Sequence, residues 1–315
     1  MTVTADPVRR SPRIRLGINN CFAVKRWPDP EDWSTVVTDV LGLDLVQVSE
    51  DLLSLTADRA ENLRTVERVR GVLDDSGIEV HSVFSGLAAY GRNLLLARSE
   101  RAHAAALAWF EELIRAAHGL GGRGAGGFLG AFSVPDFIAG EAERLLARLF
   151  TDMRSLSETA QRYGLDFLLF ENMSVEREYG HRIEEAKRIE ASVSGAPVPW
   201  RLCLDVGHPF AIRDAHQRGG GLEPWLCEPW ACTPVVQLQQ TRWGQDQHAP
   251  FAGEPIEGQV EREKVLAAVS EWPADEVTLL LEIIPSHEAA DDLVLEDLRA
   301  SVDYWREGIS CLAKR

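Results

Sequence analysis

The chain has 315 residues, 45% of them apolar, and a formal net charge of −16. That length and apolar content suit a full core and exclude wholesale disorder. The negative field excludes a nucleic-acid or anionic-membrane surface unless a basic patch overrides it, and the nearest such run, "VRRSPRIR" (8–15), reads as a solvated tail.

Residues 1–12 therefore read as a flexible tail and 13–315 as one domain. The first strand is "RIRLGINNCF" (13–22), followed by "PEDWSTVVTDVLG" (30–42), a helix that starts on proline and stops at glycine. "LDLVQVSE" (43–50) and the glycine-stopped helix "RAENLRTVERVRGVLDDSG" (59–77) come next. "IEVHSVFS" (78–85) precedes "SERAHAAALAWFEELIRAAHGLG" (99–121), which has a serine N-cap. The fourth strand, "GAGGFLGAFS" (124–133), is glycine-rich, and its glycines read as a helix stop plus close strand packing. "AGEAERLLARLFTDMRSLSETAQRYG" (139–164) carries apolar residues at three-four spacing. Strands "LDFLLFEN" (165–172), "PWRLCLDV" (199–206) and "PVVQLQQT" (234–241) follow, with a poor helical stretch "GGGLEPWLCEPWACT" (219–233) before the last of them. "EREKVLAAVSEW" (261–272), "EVTLLLEII" (276–284) and "LEDLRASVDYWREGISCLAK" (295–314) complete the series.

Eight alternating units predict a parallel sheet with right-handed crossovers. Because they consume the chain, they favour an α/β single-domain (β/α)8 TIM barrel over an open doubly wound sheet. No G-x-G-x-x-G follows the first strand, so nothing recommends a dinucleotide fold. Five cysteines at 21, 203, 227, 232 and 311 match no zinc module and read as reduced thiols. With no apolar leader and no membrane-length apolar run, the expectation is a soluble cytoplasmic protein without membrane or nucleic-acid partners.

In such a barrel, chemistry sits where strands end. The polar residues there are Asn19, Asn20, Glu50, His81, Glu171, Asp205 with His208 after it, Gln237, Gln239 and Glu282. Glu282 lies inside the apolar run "LLLEIIPSHE", where an unpaired charge costs several kcal/mol. Alternate residues share a strand face, so Gln237 and Gln239 point the same way. Glu171, Asp205, Gln239 and Glu282 arrive at similar height on four consecutive strands. Three carboxylates together need a compensating cation, and an all-oxygen set suits Mn²⁺ or Mg²⁺ better than Zn²⁺. The blander readings are a helix cap for any one carboxylate, a loop-carbonyl bond for His208 and a core amide for Gln239. For the others they are a core role for His81, a loop role for His248 and a surface ion pair for Arg242.

At "FENMSVERE", "CLDVGHPF", "VVQLQQT" and "LLLEI" the chain resembles the xylose isomerase-like sugar isomerases and epimerases, a superfamily with ketose 3-epimerases, inosose dehydratases and an endonuclease IV branch. The resemblance implies one divalent metal, Mn²⁺ first, with Mg²⁺, Co²⁺ or Zn²⁺ as alternatives, on Glu171, Asp205, Gln239 and Glu282. It implies that Glu171 and Glu282 exchange an α-proton with a small ketose while His208 holds a substrate hydroxyl. Arg242, His81 and His248 are further pocket candidates. Gln239, and likewise Gln237, stands where the family pattern has histidine. Segment 84–96 looks like a loop that covers the site, and Arg177 could meet an anionic group. The acidic loop after Glu282 disfavours a phosphorylated substrate. A lyase of the same superfamily and a metal-free binding barrel are the alternatives. An endonuclease would need more strand-end histidines and a basic groove. The tryptophans of 219–233 suit a pocket wall or a contact between copies of the chain in a homo-oligomer.

Overall fold

The computed structural model describes residues 11–212, 221–227, 235–253, 258–312 and 314. Most of the expected N-terminal tail (1–10), Cys232 and much of 219–233 lie outside the described residues. Eight parallel strands close into one barrel in sequence order. They are β1 (Arg13–Asn19), β2 (Leu45–Ser49), β3 (Glu79–Phe84), β4 (Gly124–Gly127), β5 (Phe167–Glu171), β6 (Trp200–Asp205), β7 (Val235–Leu238) and β8 (Glu276–Leu281). Closure is between β1 and β8, in register from Arg13↔Glu276 to Ile18↔Leu281. The end of the basic run 8–15 is thus strand, not tail: Arg13 pairs with Glu276 and Arg15 with Glu79, each at 2.8 Å.

The crossovers carry α1 (Pro30–Thr35), α2 (Arg59–Ser76), α3 (Glu100–Gly119), α4 (Val134–Ile138), α5 (Ala142–Arg162) and α6 (Ile183–Ser192). They continue with α7 (His208–Ala211), α8 (Glu223–Cys227), α9 (Arg262–Ser270) and α10 (Asp291–Leu312). Local chemistry sets the ends. The Asp58 carboxylate accepts from the N–H groups of Ala60 (2.9 Å) and Glu61 (3.2 Å) at the start of α2, and Gly77 stops it in the left-handed region at φ 68°. Among the described residues no helix is long and apolar enough to cross a membrane.

Two layers of apolar packing follow from strand alternation. The larger lies between sheet and helices and includes Trp33, Phe110, Leu149 and Trp305. The smaller fills the barrel: Phe84, Phe167, Leu169, Cys203, Val235 and Leu280. This interior layer fixes the site above it. Leu169 is two residues before Glu171, Cys203 two before Asp205, and Leu280 two before Glu282, so each acid continues an inward-facing row. Register then staggers the rows, since Glu171 lies beside Cys203 and Asp205 beside Gln237.

Candidate active site

Three buried carboxylates converge at the C-terminal end of the barrel. One oxygen each from Glu171, Asp205 and Glu282 lies within 4.8 Å of the others. Their remaining oxygens are held by named donors. Tyr90 donates its hydroxyl to Glu171 Oε2 at 2.7 Å. Asp205 Oδ1 accepts from the N–H groups of Gly207 (2.7 Å) and His208 (3.0 Å). Glu282 Oε1 accepts from Asn19 Nδ2 at 2.9 Å and Gln237 Nε2 at 2.8 Å. Glu171 Oε1 and Glu282 Oε2 are buried and have no hydrogen-bond partner among the described residues. A buried anionic oxygen left that way is costly, which a cation between them would relieve. The residues present therefore fit a divalent ion. Burial is the main cause that pushes the Glu171 carboxyl up to about 8, and it drives Glu282 well above the usual carboxylate range, with neighbouring carboxylates adding to it.

His208 stands beside this group. Its Nδ1 lies 2.6 Å from the Asn172 carbonyl and 3.5 Å from Glu171 Oε1, and its Nε2 lies 3.3 Å from Asp246 Oδ2. Burial pushes this imidazole down, but Asp205, Asp246 and Glu171 outweigh it, so the net shift is well upward. His208 thus makes the expected loop-carbonyl bond and also stands beside the acids. Asn172 also clamps β5 to β6: it donates to the Asp205 carbonyl at 2.9 Å and accepts from the Asp205 N–H at 2.7 Å.

Gln237 and Gln239 both face inward, as parity requires. Gln237 joins Gln47, Asn19 and Glu282 in an amide–carboxylate network beneath the acids. Gln239 turns its Nε2 toward Asp205 (3.1 and 3.2 Å) and Asp246 (3.0 Å). His248 reaches the same group, with Nδ1 3.5 Å from Glu282 Oε2. Arg242 is exposed on the loop after β7, and its carbonyl accepts from the Gln245 N–H at 3.0 Å.

His81 is the expected pocket residue that the fold keeps apart from the acids. Val46 pairs with Val80 but Gln47 with Ser82, so His81 is an extra residue, a bulge in β3. It lies below the strand end, its ring 5.4 Å from that of Phe167, with Arg123, Arg15 and Glu79 as its charged neighbours. Burial first, then Arg123 and Arg15, lower its pKa to about 3. In the unfolded chain an imidazole titrates near about 6.5. Between those values the unfolded state binds the extra proton, so this stability is fully present above about 6.5 and is lost as pH falls toward 3. Denaturant midpoints should show His81→Gln losing less stability than the wild type between pH 7 and 5, by roughly 2 kcal/mol at about 1.4 kcal/mol per pH unit. Parallel acid limbs would contradict the buried neutral imidazole.

Sequence reasoning missed Asp246, Tyr90 and Asn172. Asn172 follows Glu171 directly, so a strand-end reading could have reached it. Asp246 sits in a loop and Tyr90 in a short 3-10 turn (Leu87–Gly91) of the expected covering segment 84–96, where no periodicity tells which way a side chain points.

The family model described as the xylose isomerase-like TIM barrel matches residues 39–315. The chain is 24% identical over 307 residues to the D-erythrulose 1-phosphate 3-epimerase of Brucella abortus, covering 96% of this chain and 98% of that protein. A solved structure of a candidate xylose isomerase from Rhodospirillum rubrum superposes with a TM-score of 0.84 at 27% identity, over 93% of this chain and 99% of the other. A D-psicose 3-epimerase from Clostridium cellulolyticum, solved with D-tagatose, matches in fold with a TM-score of 0.70 at 14% identity, over 94% and 99% of the two chains.

Proposed function

Because the chain belongs to the xylose isomerase-like TIM barrel family, we propose that it is a sugar epimerase or isomerase that moves the proton beside the carbonyl of a small ketose or ketose phosphate. The observation that carries this reading is the pair Glu171 and Glu282. Both are buried, they converge with Asp205, and each keeps one oxygen without a hydrogen-bond partner. Two such carboxylates are what removal of a carbon-bound proton and its return to the other face require. Glu171, Asp205 and Glu282 would hold a divalent cation, Mn²⁺ before Mg²⁺, Co²⁺ or Zn²⁺, which when bound offsets their charge and polarises the substrate carbonyl.

The chain's own groups supply the rest. Glu171 takes or returns the proton from one side, with Tyr90 fixing the direction of its carboxyl. Glu282 serves the other side, steadied by Asn19 and Gln237. His208, fixed through Nδ1 by the Asn172 carbonyl at 2.6 Å, would turn its Nε2–H from Asp246, 3.3 Å away, to a substrate hydroxyl. The relative from Brucella is named for a ketose phosphate, so both esters and free ketoses belong in the first screen.

The test is proton exchange in D₂O. Protein purified without chelators and supplied with Mn²⁺ is incubated with D-erythrulose 1-phosphate, its free ketose and D-tagatose. Proton NMR should show loss of the carbon-3 proton signal as deuterium enters, with a new diastereomer from D-tagatose and, from the erythruloses, whose carbon 3 is their one stereocentre, the enantiomer, read as a change in optical rotation. Loss of water instead would mark the lyase alternative, and absence of any change across the panel would overturn the reading.

Tyr90→Phe removes the one donor to Glu171 Oε2 among the described residues and keeps the ring stacked 4.7 Å from Phe128. A hydrogen bond to a charged group contributes about 1.5–3 kcal/mol, so kcat should fall roughly 10- to 100-fold. Wild-type kcat in this variant would remove Tyr90 from the site.

A further inference from the structure

We propose that His248, on the loop after β7, supplies the nitrogen ligand of the cation site, and that Gln239 is a positioning residue that holds His248 there. The inference rests on the metal-dependent reading above and adds a fourth donor to its three carboxylates, a loop imidazole where the sequence led to the strand amide of Gln239.

Gln239 has no atom to spare. Its Nε2 has four partners within reach, Asp205 Oδ1 (3.1 Å), Asp205 Oδ2 (3.2 Å), Asp246 Oδ1 (3.0 Å) and His248 Nε2 (3.3 Å). Its Oε1, the atom a cation would need, accepts the His248 backbone N–H at 2.7 Å. An amide N–H₂ has no lone pair to give a metal. The end of Gln239 that faces the acids is thus the wrong end for a ligand.

His248 has the opposite properties. One ring nitrogen lies within 4.8 Å of ligand atoms of Asp205 and His208. Its Nδ1 is 3.5 Å from Glu282 Oε2, one of the two oxygens without a partner. An imidazole that binds a metal through one nitrogen usually donates its other N–H to an acceptor. Acceptors are in place on both sides, Asp246 Oδ1 at 3.3 Å from Nε2 and the Glu282 carbonyl at 3.3 Å from Nδ1.

The backbone is built for this placement. Gln240 and Ala249 exchange two N–H···O bonds of 2.9 Å, folding 241–248 back over the strand end and setting His248 against Gln239. His248 itself takes a left-handed φ of 46°, a conformation that strained functional residues adopt more often than others. A nitrogen donor also moves the site's preference from Mg²⁺ toward Mn²⁺, Co²⁺ and Zn²⁺.

The experiment uses Mn²⁺ alone as the probe, on the full chain, with calorimetric titration and pulsed EPR of bound Mn²⁺. Wild type is expected to bind one Mn²⁺ with the coupling of a directly bound imidazole nitrogen. His248→Gly, which keeps the left-handed backbone free of strain, should weaken binding about 10- to 100-fold and lose that coupling. Added imidazole should restore both. His208→Gln should keep the coupling, whereas Gln239→Met, which loses the bond that holds the His248 backbone, should keep the coupling in whatever Mn²⁺ is bound but weaken Mn²⁺ binding. Its persistence in His248→Gly with loss in His208→Gln would overturn the proposal, and so would a wild type that binds Mn²⁺ with no imidazole nitrogen. Should wild type bind no Mn²⁺ at all, the metal-dependent reading itself falls and this inference with it.

Discussion

Replacing Glu171 by Gln is expected to lower ketose turnover by a factor of roughly 10² to 10⁴ while leaving the barrel folded. The amide fills the same space and can still accept from Tyr90, but it cannot take a proton from carbon. The fold should tolerate the change for a second reason. Glu171 is 2% exposed, and its Oε1 has no partner among the described residues, so in metal-free protein its charge opposes folding. The sign follows from its raised pKa of about 8. A carboxyl whose folded pKa lies above the unfolded value gives stability that is complete below about 4.3 and disappears as pH rises through 8. Metal-free wild type should therefore lose stability from pH 6 to 8.5, and Glu171→Gln should lose less. A variant with full turnover would remove Glu171 from the chemistry. A variant that unfolds would make it a structural residue instead.

Gly126→Ala is expected to be the most damaging single-methyl change in the barrel wall. Gly126 pairs with Leu169 across β4 and β5 and has a φ of 151°, which a side chain rarely adopts. A Cβ there would sit 2.0 Å from the Leu169 carbonyl oxygen and 2.7 Å from its backbone nitrogen. Those are backbone atoms of a strand one step below Glu171, so relief requires β4 and β5 to separate. The cost belongs to the exceptional class above about 4 kcal/mol. At about 2 °C per kcal/mol the melting temperature should fall by 8 °C or more, or soluble protein should be lost. Gly140→Ala is the control. It has a φ of 74° and nothing within 4 Å, so only the backbone penalty remains, about 1 kcal/mol. Equal losses in the two variants would show that contact with β5 is not the cause.

Both predictions concern features that reach the sequence unequally. The Gly-rich segment 124–127 reads as close packing, yet only the paired register names Leu169 as the atom group in the way. Glu171, Asp205 and Glu282 are legible because each ends an alternating apolar run, and a strand's period of two is local information carried by neighbouring residues. The same rule places Gln237 and Gln239 inward.

The rule fails at His81, where one inserted residue breaks the alternation and leaves the imidazole near Phe167, below the acids. Nothing in "IEVHSVFS" marks that insertion, since a bulge is defined by the partner strand. The sequence alone thus determined the eight-unit barrel and its inward row of acids, because both follow from short-range periodicity and the need to bury it. Only the tertiary structure decided that Tyr90 meets Glu171, that Asp246 faces His208 and that His248 lies against Gln239. Those contacts depend on how loops without period fold back across the strand ends, through bonds such as the Gln240–Ala249 pair, between groups that no local pattern connects.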